Sequence, residues 1–250
     1  MSLRQRPLGT QGLEVGAIGL GCMGMSQSYG PADEKESIAT LHHAADLRCN
    51  FFDTAEGYGP YTNEELLGRA FKGRRDQVAI ATKVGFCFEN DRQMGADTDS
   101  RPESVRLAVE GCLRRLQTDH IDLLYQHRID REVPIEEFAG AVGDMVCEGK
   151  CATSASARFD ANVKAAQVVF DITKSKAVKP GQVSLAWLLG KGDFIVPIPD
   201  TKRRGYLEEN VASAEITLDA SEVERLDSAL AAGTVSGNRY NDFFMTTIER

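Results

Sequence analysis

The sequence lacks a surplus of basic residues: 29 lysines and arginines face 37 aspartates and glutamates, a net charge of −8. The charge is spread along the chain rather than gathered into a basic stripe, which argues against a general nucleic-acid binder. No apolar run approaches the roughly 20 residues of a membrane span. The opening residues, MSLRQRPLGTQG, hold no apolar h-region, so no secretory signal is expected there. No CxxC pair occurs among the six cysteines, Cys22, Cys49, Cys87, Cys112, Cys147 and Cys151. His42, His43, His120 and His127 show no zinc-ligand spacing to Cys147 and Cys151. No metal site is expected, and the cysteines read as reduced thiols of a cytoplasmic protein. A GxGxxG after the first apolar run is also missing, so the doubly wound dinucleotide fold lacks its fingerprint.

What is present is a regular alternation of short apolar runs with longer helical patterns. The chain has 250 residues, 42% of them apolar, enough for one large domain over residues 1–250 with a sizeable core. A Gly-rich turn at Gly9 to Gly12 predicts a small N-terminal hairpin, followed by a strand over Val15 to Gly21. Strands are expected at Asn50 to Asp53, Val78 to Lys83, His120 to Gln126, weakly from Cys151, and at Phe194 to Ile198 as a buried strand. Helical spacing predicts helices at Asp33 to Leu47, Asn63 to Phe71, Pro102 to Leu116, Pro134 to Glu148, Asn162 to Lys176, Gln182 to Leu189, Arg204 to Ala212 and Ser221 to Ala232. Ser100 is the expected N-cap of the third of these, and the tail from Val235 is expected to lie over the surface. Parallel strands buried on both faces read as continuous apolar runs, as Val78-Ala79-Ile80-Ala81 does. The fold class is therefore α/β, a (β/α)8 TIM barrel with an N-terminal β-hairpin. Strands near residues 18, 51, 80, 123, 152 and 196 make six, two short of the eight that closure needs.

Three consecutive strands end on titratable residues: Asp53 in Phe52-Asp53-Thr54-Ala55-Glu56-Gly57-Tyr58-Gly59, Lys83 in Ala81-Thr82-Lys83, and His127 in Tyr125-Gln126-His127-Arg128. Barrel enzymes keep their chemistry at the C-terminal strand ends, so these side chains and Tyr58 are expected to converge. The set suits carbonyl reduction. Hydride addition leaves charge on oxygen, which must gain a proton. A phenol is a slow acid at neutral pH, and an adjacent ammonium stabilises its phenolate. Lys83 would do this for Tyr58, Asp53 would balance the buried lysine, and His127 would orient the carbonyl oxygen. Taken singly, each of these residues is better read as a cap, a packing group or a solvated charge. Their order on successive strands favours function.

Asp-Thr-Ala-x-x-Tyr-Gly, the lysine of Ala-Thr-Lys and the histidine of Tyr-Gln-His-Arg resemble the tetrad of the aldo-keto reductase superfamily. Gly19-Leu20-Gly21-Cys22-Met23-Gly24-Met25-Ser26, Tyr61-Thr62-Asn63-Glu64-Glu65-Leu66-Leu67-Gly68 and Ile195-Val196-Pro197-Ile198-Pro199 resemble its bacterial members. The resemblance covers Arg6 to about Lys150, then about Phe159 onward. It implies that Tyr58 is the proton donor, with Asp53, Lys83 and His127 supporting it. It also implies NADPH bound across the barrel mouth, with contacts from Gly21, Cys22, Met23, Asp53 and Thr201. Lys202 and Arg203 would hold the adenosine 2′-phosphate, with Tyr206, Glu209 and Asn210 around the adenine. The implied partner is a small carbonyl substrate, and homo-oligomers are allowed.

The sequence departs from that family after Lys150. The family's polar pair after the fifth strand, its sixth strand, and the seventh with its nicotinamide-stacking tyrosine have no counterpart. About two βα units are absent near residues 152–160. Three explanations suit this: residues left out of the sequence, a true deletion, or a partner chain that completes the barrel. Asp200 stands where relatives have glycine and should weaken NADPH binding. Gly57 replaces a bulkier residue and should loosen the loop that carries Tyr58. The alternative function is a non-catalytic NADP(H)-binding or interaction module.

Overall fold

A computed structural model of the chain describes residues 3–89, 92–152, 154–155 and 165–231. Strands β1 (Gln5–Leu8) and β2 (Leu13–Gly16) form the expected antiparallel hairpin. Its turn places Gly9 and Gly12 at φ +78° and +91°, a conformation glycine adopts at little cost. The run Val15 to Gly21, expected as one strand, is divided. Val15 and Gly16 finish β2, and only β3 (Leu20–Gly21) enters the main sheet. Val15 is fully buried in the cluster that lines the concave side of the sheet, so the hairpin plugs that side before the chain turns into β3.

The sheet continues in parallel with β4 (Phe51–Asp53) and β5 (Ala79–Val84). Next in the chain comes an antiparallel hairpin that no periodicity predicted, β6 (Phe86–Glu89) with β7 (Arg92–Thr98). The sheet then resumes with β8 (Leu123–Gln126) and ends at β9 (Ser154–Ala155). Side chains alternate along these strands. Phe51, Ala79, Ala81 and Leu123 face inward with Val15. Phe52, Ile80 and Leu124 face outward into the larger core. That core is closed by α1 (Glu34–Asp46), α2 (Thr62–Ala70), α3 (Pro102–Leu116) and α4 (Ile135–Cys147), which bring in Leu41, Leu67, Val109 and Val142. Asp33 caps α1 by accepting the Glu36 N–H at 2.8 Å. Ser100 does not cap α3. Arg101 holds the cap position, and the buried Ser100 instead accepts the Gln126 amide at 2.8 Å and donates its backbone N–H to Asp130.

The segment Phe194 to Ile198 is not the buried strand expected. Phe194 is 74% exposed. The chain still follows the free edge of β3: the N–H groups of Gly19 and Gly21 donate to Pro197 and Pro199 at 2.9 and 3.2 Å. Proline has no N–H to return, so the ladder is one-sided and no regular strand forms. Arg6 clasps the same region, donating to the carbonyls of Leu189, Gly192 and Ile195. The remaining helices are α5 (Ala165–Lys176), α6 (Pro180–Leu189), α7 (Arg204–Ala212) and α8 (Ala220–Ala229). Val169, Ile172, Val183 and Leu226 give α5, α6 and α8 a small core of their own. The first residues of the expected helix Asn162 to Lys176, the end of Ser221 to Ala232, the tail from Val235 and most of the 152–160 junction lie outside the described residues.

Five of the six expected strands thus form the parallel sheet, and with the irregular edge segment at Pro197 to Pro199 they make an open arc of a (β/α) barrel. Among the described residues, nothing pairs with the outer edge of β9. No helix among them is long and apolar enough to cross a membrane.

Candidate active site

The parallel register aligns the strand ends. Phe51 pairs with Ala79, and Lys83 pairs with Tyr125, so Asp53, Lys83 and His127 leave the sheet at one rim. Lys83 Nζ donates to Asp53 Oδ1 at 2.5 Å, to the Thr54 carbonyl at 2.8 Å and to the Tyr58 hydroxyl at 3.0 Å. The ammonium also lies 4.8 Å from the Tyr58 ring centroid. The His127 ring meets the Tyr58 ring edge-on, centroids 5.8 Å apart, and its other neighbour is Phe86 at 4.6 Å. All four residues of the sequence-derived set are therefore one cluster.

Its electrostatics differ from the simplest expectation. Burial raises the Tyr58 phenol above its ordinary value, and the lowering by Lys83 does not overcome this. The phenol is thus protonated at neutral pH, and the ammonium acts by stabilising the phenolate once the proton has left. Burial opposes the charge on Lys83, but Asp53 and Tyr58 together push its pKa up. Burial raises Asp53, with Lys83 opposing. At 2.5 Å this pair acts as one ionised unit. Burial, then Lys83 and Arg128, push His127 down to about 3, so it is a neutral imidazole.

The Gly21-Cys22-Met23 backbone lies against this cluster. Cys22 donates its N–H to the Asp53 carbonyl at 3.0 Å, and Asn63 donates to the Cys22 carbonyl at 2.8 Å. The Cys22 thiol is buried, and burial raises its pKa well above the ordinary value. Beyond it opens a cavity of ≈ 560 Å³ lined by Gly24, Tyr29, Asp200, Thr201, Lys202, Arg203 and Tyr206. Arg203 stacks near the Tyr206 ring at 5.9 Å. Lys202 Nζ caps the carbonyls of Tyr29, Gly30 and Pro31 at 2.8–2.9 Å, holding the loop that walls the cavity. Arg203 is thus the cation better placed for an anionic ligand. Glu209 and Asn210 follow on α7, half-buried, outside the cavity lining. Asp200 turns inward: its Oδ2 accepts the Gly24 N–H at 2.9 Å, and burial raises its pKa.

Two features escaped sequence reasoning. The β6–β7 hairpin roofs the Tyr58 loop: a Cβ on the buried Gly57 would stand 3.3 Å from Gln93 Oε1 and 3.5 Å from the Phe86 ring. Gly57 therefore fits beneath a roof rather than loosening the loop. Glu56, inside the quoted motif but given no role, is 3% exposed and accepts the Gly85 N–H at 2.9 Å. Among the described residues, no group of three or more His, Cys, Asp or Glu side chains is placed to hold a metal.

The chain resembles known proteins along most of its length. The aldo/keto reductase family model matches residues 17–163 and 153–231. The chain is 31% identical to the NADP(+) aldo-keto reductase yakc of Schizosaccharomyces pombe, covering 96% of this chain and 95% of that protein. It is 29% identical to the probable aldo-keto reductase 1 of Glycine max, covering 93% and 90%. A thermostable aldo-keto reductase solved with the inhibitor epalrestat superposes with a TM-score of 0.78 at 26% identity, covering 91% of this chain and all of that one. An aldo-keto reductase of Klebsiella pneumoniae solved with NADPH shares the fold, with a TM-score of 0.74 at 22% identity over 91% and 95%. The alignment with the S. pombe protein runs over 327 positions, more than the 250 residues here, so that relative holds residues with no counterpart. The two family matches meet at residues 153–163, immediately around β9.

Proposed function

The chain belongs to the aldo/keto reductase family, and from that premise we propose that it reduces small aldehydes or ketones to alcohols with NADPH, Tyr58 giving the proton. One observation carries this reading: Asp53, Lys83 and the Tyr58 hydroxyl form a continuous hydrogen-bonded chain at 2.5 and 3.0 Å.

The residues present fit NADPH at both ends of its expected path. Asp53 Oδ2 is buried with no partner among the described residues, an acceptor in want of a donor. Arg203 and Tyr206 offer a cation and an aromatic face at the far cavity. The bound dinucleotide would supply the hydride. Tyr58 then transfers its proton to the carbonyl oxygen, and Lys83 stabilises the phenolate left behind. Asp53 keeps Lys83 charged and in place. His127, neutral, orients the carbonyl oxygen by hydrogen bonding without competing as an acid.

A second reading, a module that binds NADP(H) without turnover, is supported by the absence, among the described residues, of a strand beyond β9. One assay separates the two. Purified protein with NADPH and a reactive aromatic aldehyde should lose absorbance at 340 nm, and Tyr58→Phe should not. A flat trace from protein that still binds NADPH by fluorescence would favour the binding module.

A further inference from the structure

Glu56 sits two residues before the proposed proton donor, and its carboxylate engages a different element. Its carboxylate accepts the backbone N–H of Gly85, the residue that links β5 to the β6–β7 hairpin. Gly85 holds φ +113°, so the chain turns sharply there and the hairpin's direction depends on a conformation few residues adopt. The Glu56 backbone N–H donates to the Lys83 carbonyl at 3.2 Å. One residue therefore pins the Tyr58 loop to the end of β5 with its main chain, and to the root of the hairpin with its side chain. The hairpin in turn places Phe86 against His127 at 4.6 Å and Gln93 beside Gly57. Tyr61 and Phe88 add a second contact, ring centroids 4.9 Å apart.

We propose that Glu56 is a positioning residue whose buried carboxylate holds the β6–β7 hairpin over the site, so that Phe86 and Gln93 form the wall that carbonyl substrates with an apolar group meet. This rests on the reductase reading for the substrate and on the structure alone for the hairpin. The charged and titratable groups that face Glu56 are Glu64 on α2 and Arg115 and Cys112 on α3. Arg115 is already paired with Glu64 at 2.6 Å, so it compensates Glu56 only in part. Burial pushes Glu56 up to about 7, with the Gly85 and Phe86 N–H groups opposing. Its grip on the hairpin therefore changes across neutral pH, because an N–H bond to a carboxylate is stronger than one to a neutral carboxyl.

Amide hydrogen exchange on the whole chain without cofactor tests the anchor directly. After correction for intrinsic rates, protection at Gly85, Phe86 and the β6–β7 amides should fall about fivefold to tenfold between pH 8 and pH 6. In Glu56→Gln it should be independent of pH, and in Glu56→Ala low throughout. Under the reductase reading, both variants should raise KM for an aromatic aldehyde severalfold more than they lower kcat. Hairpin protection that is flat with pH in the unaltered chain and unchanged in Glu56→Gln overturns the proposal, as does a fall in kcat with KM intact. A chain that shows no turnover but the expected exchange pattern refutes the reductase reading and keeps the anchor.

Discussion

Removing the charge of Asp200 should tighten NADPH binding about tenfold. Its carboxylate lines the same cavity as Arg203 and Tyr206 and is held there by the Gly24 N–H at 2.9 Å. A unit negative charge arriving about 6 Å away costs roughly 3 kcal/mol at an effective dielectric of about 20, and about 0.7 kcal/mol in bulk water. The cavity is open to solvent, so a value near 1.4 kcal/mol, or about a factor of ten in Kd, is the working figure. Asp200→Asn isolates the charge, because its amide oxygen still accepts the Gly24 N–H. Asp200→Gly loses both charge and bond. Fluorescence titration with NADPH at low and high salt measures the effect, which should shrink as salt rises. The raised Asp200 pKa gives a second signature. Protonation neutralises the side chain sooner than for an ordinary aspartate, so affinity of the unaltered chain should approach that of Asp200→Asn as pH falls. Equal Kd values for the two at pH 8 and low salt would refute the reasoning.

Lys83→Met should abolish turnover and lower stability by about 3–5 kcal/mol, since it leaves Asp53 buried and unpaired. Denaturant titration of Asp53→Asn/Lys83→Met should recover part of that loss, and an additive double variant would contradict a coupled pair. His127 stays neutral far below pH 7. The profile of kcat/KM should therefore show no break from this residue between pH 5 and 8, and a break near pH 6.5 that vanishes in His127→Gln would be evidence against its neutral role. Glu56 has its pKa raised to about 7, so its favourable contribution is complete below the ordinary carboxylate range and is lost as pH rises through 7. Global unfolding hydrates the carboxylate, unlike a local opening that only frees the hairpin, so by denaturant titration Glu56→Gln should be more stable than the unaltered chain at pH 8 by up to roughly 3 kcal/mol, and the gap should close near pH 4.

The strand ends were the most readable part of the sequence. Asp53, Lys83 and His127 close three apolar runs, and parallel register brings them to one rim. Pro102 to Leu116 was predicted to the residue, because a first-turn proline and an apolar stripe mark it. What failed depended on long-range contacts. Phe194 is as apolar as any strand residue, but it is exposed and precedes a ladder that Pro197 and Pro199 leave one-sided. The β7 sequence, Arg92–Thr98, has no aromatic residue and only one β-branched residue, Thr98, and it pairs only because β6 lies opposite. Ser100 carries every local mark of a cap, but Gln126, distant in sequence, engages its hydroxyl. The direction of the Tyr58 pKa was also out of reach, since pattern shows the ammonium and not the degree of burial.

The Arg6 guanidinium grips three carbonyls between Leu189 and Ile195, and Gly19 and Gly21 bind the chain that follows. The first and last thirds of the polypeptide are therefore sewn together at one seam, while the opposite flank, past β9, has no such stitching among the described residues. A circular permutant that opens the backbone on that loose flank should retain its cooperative melt. One opened between Gly16 and Leu20 would sever the seam itself.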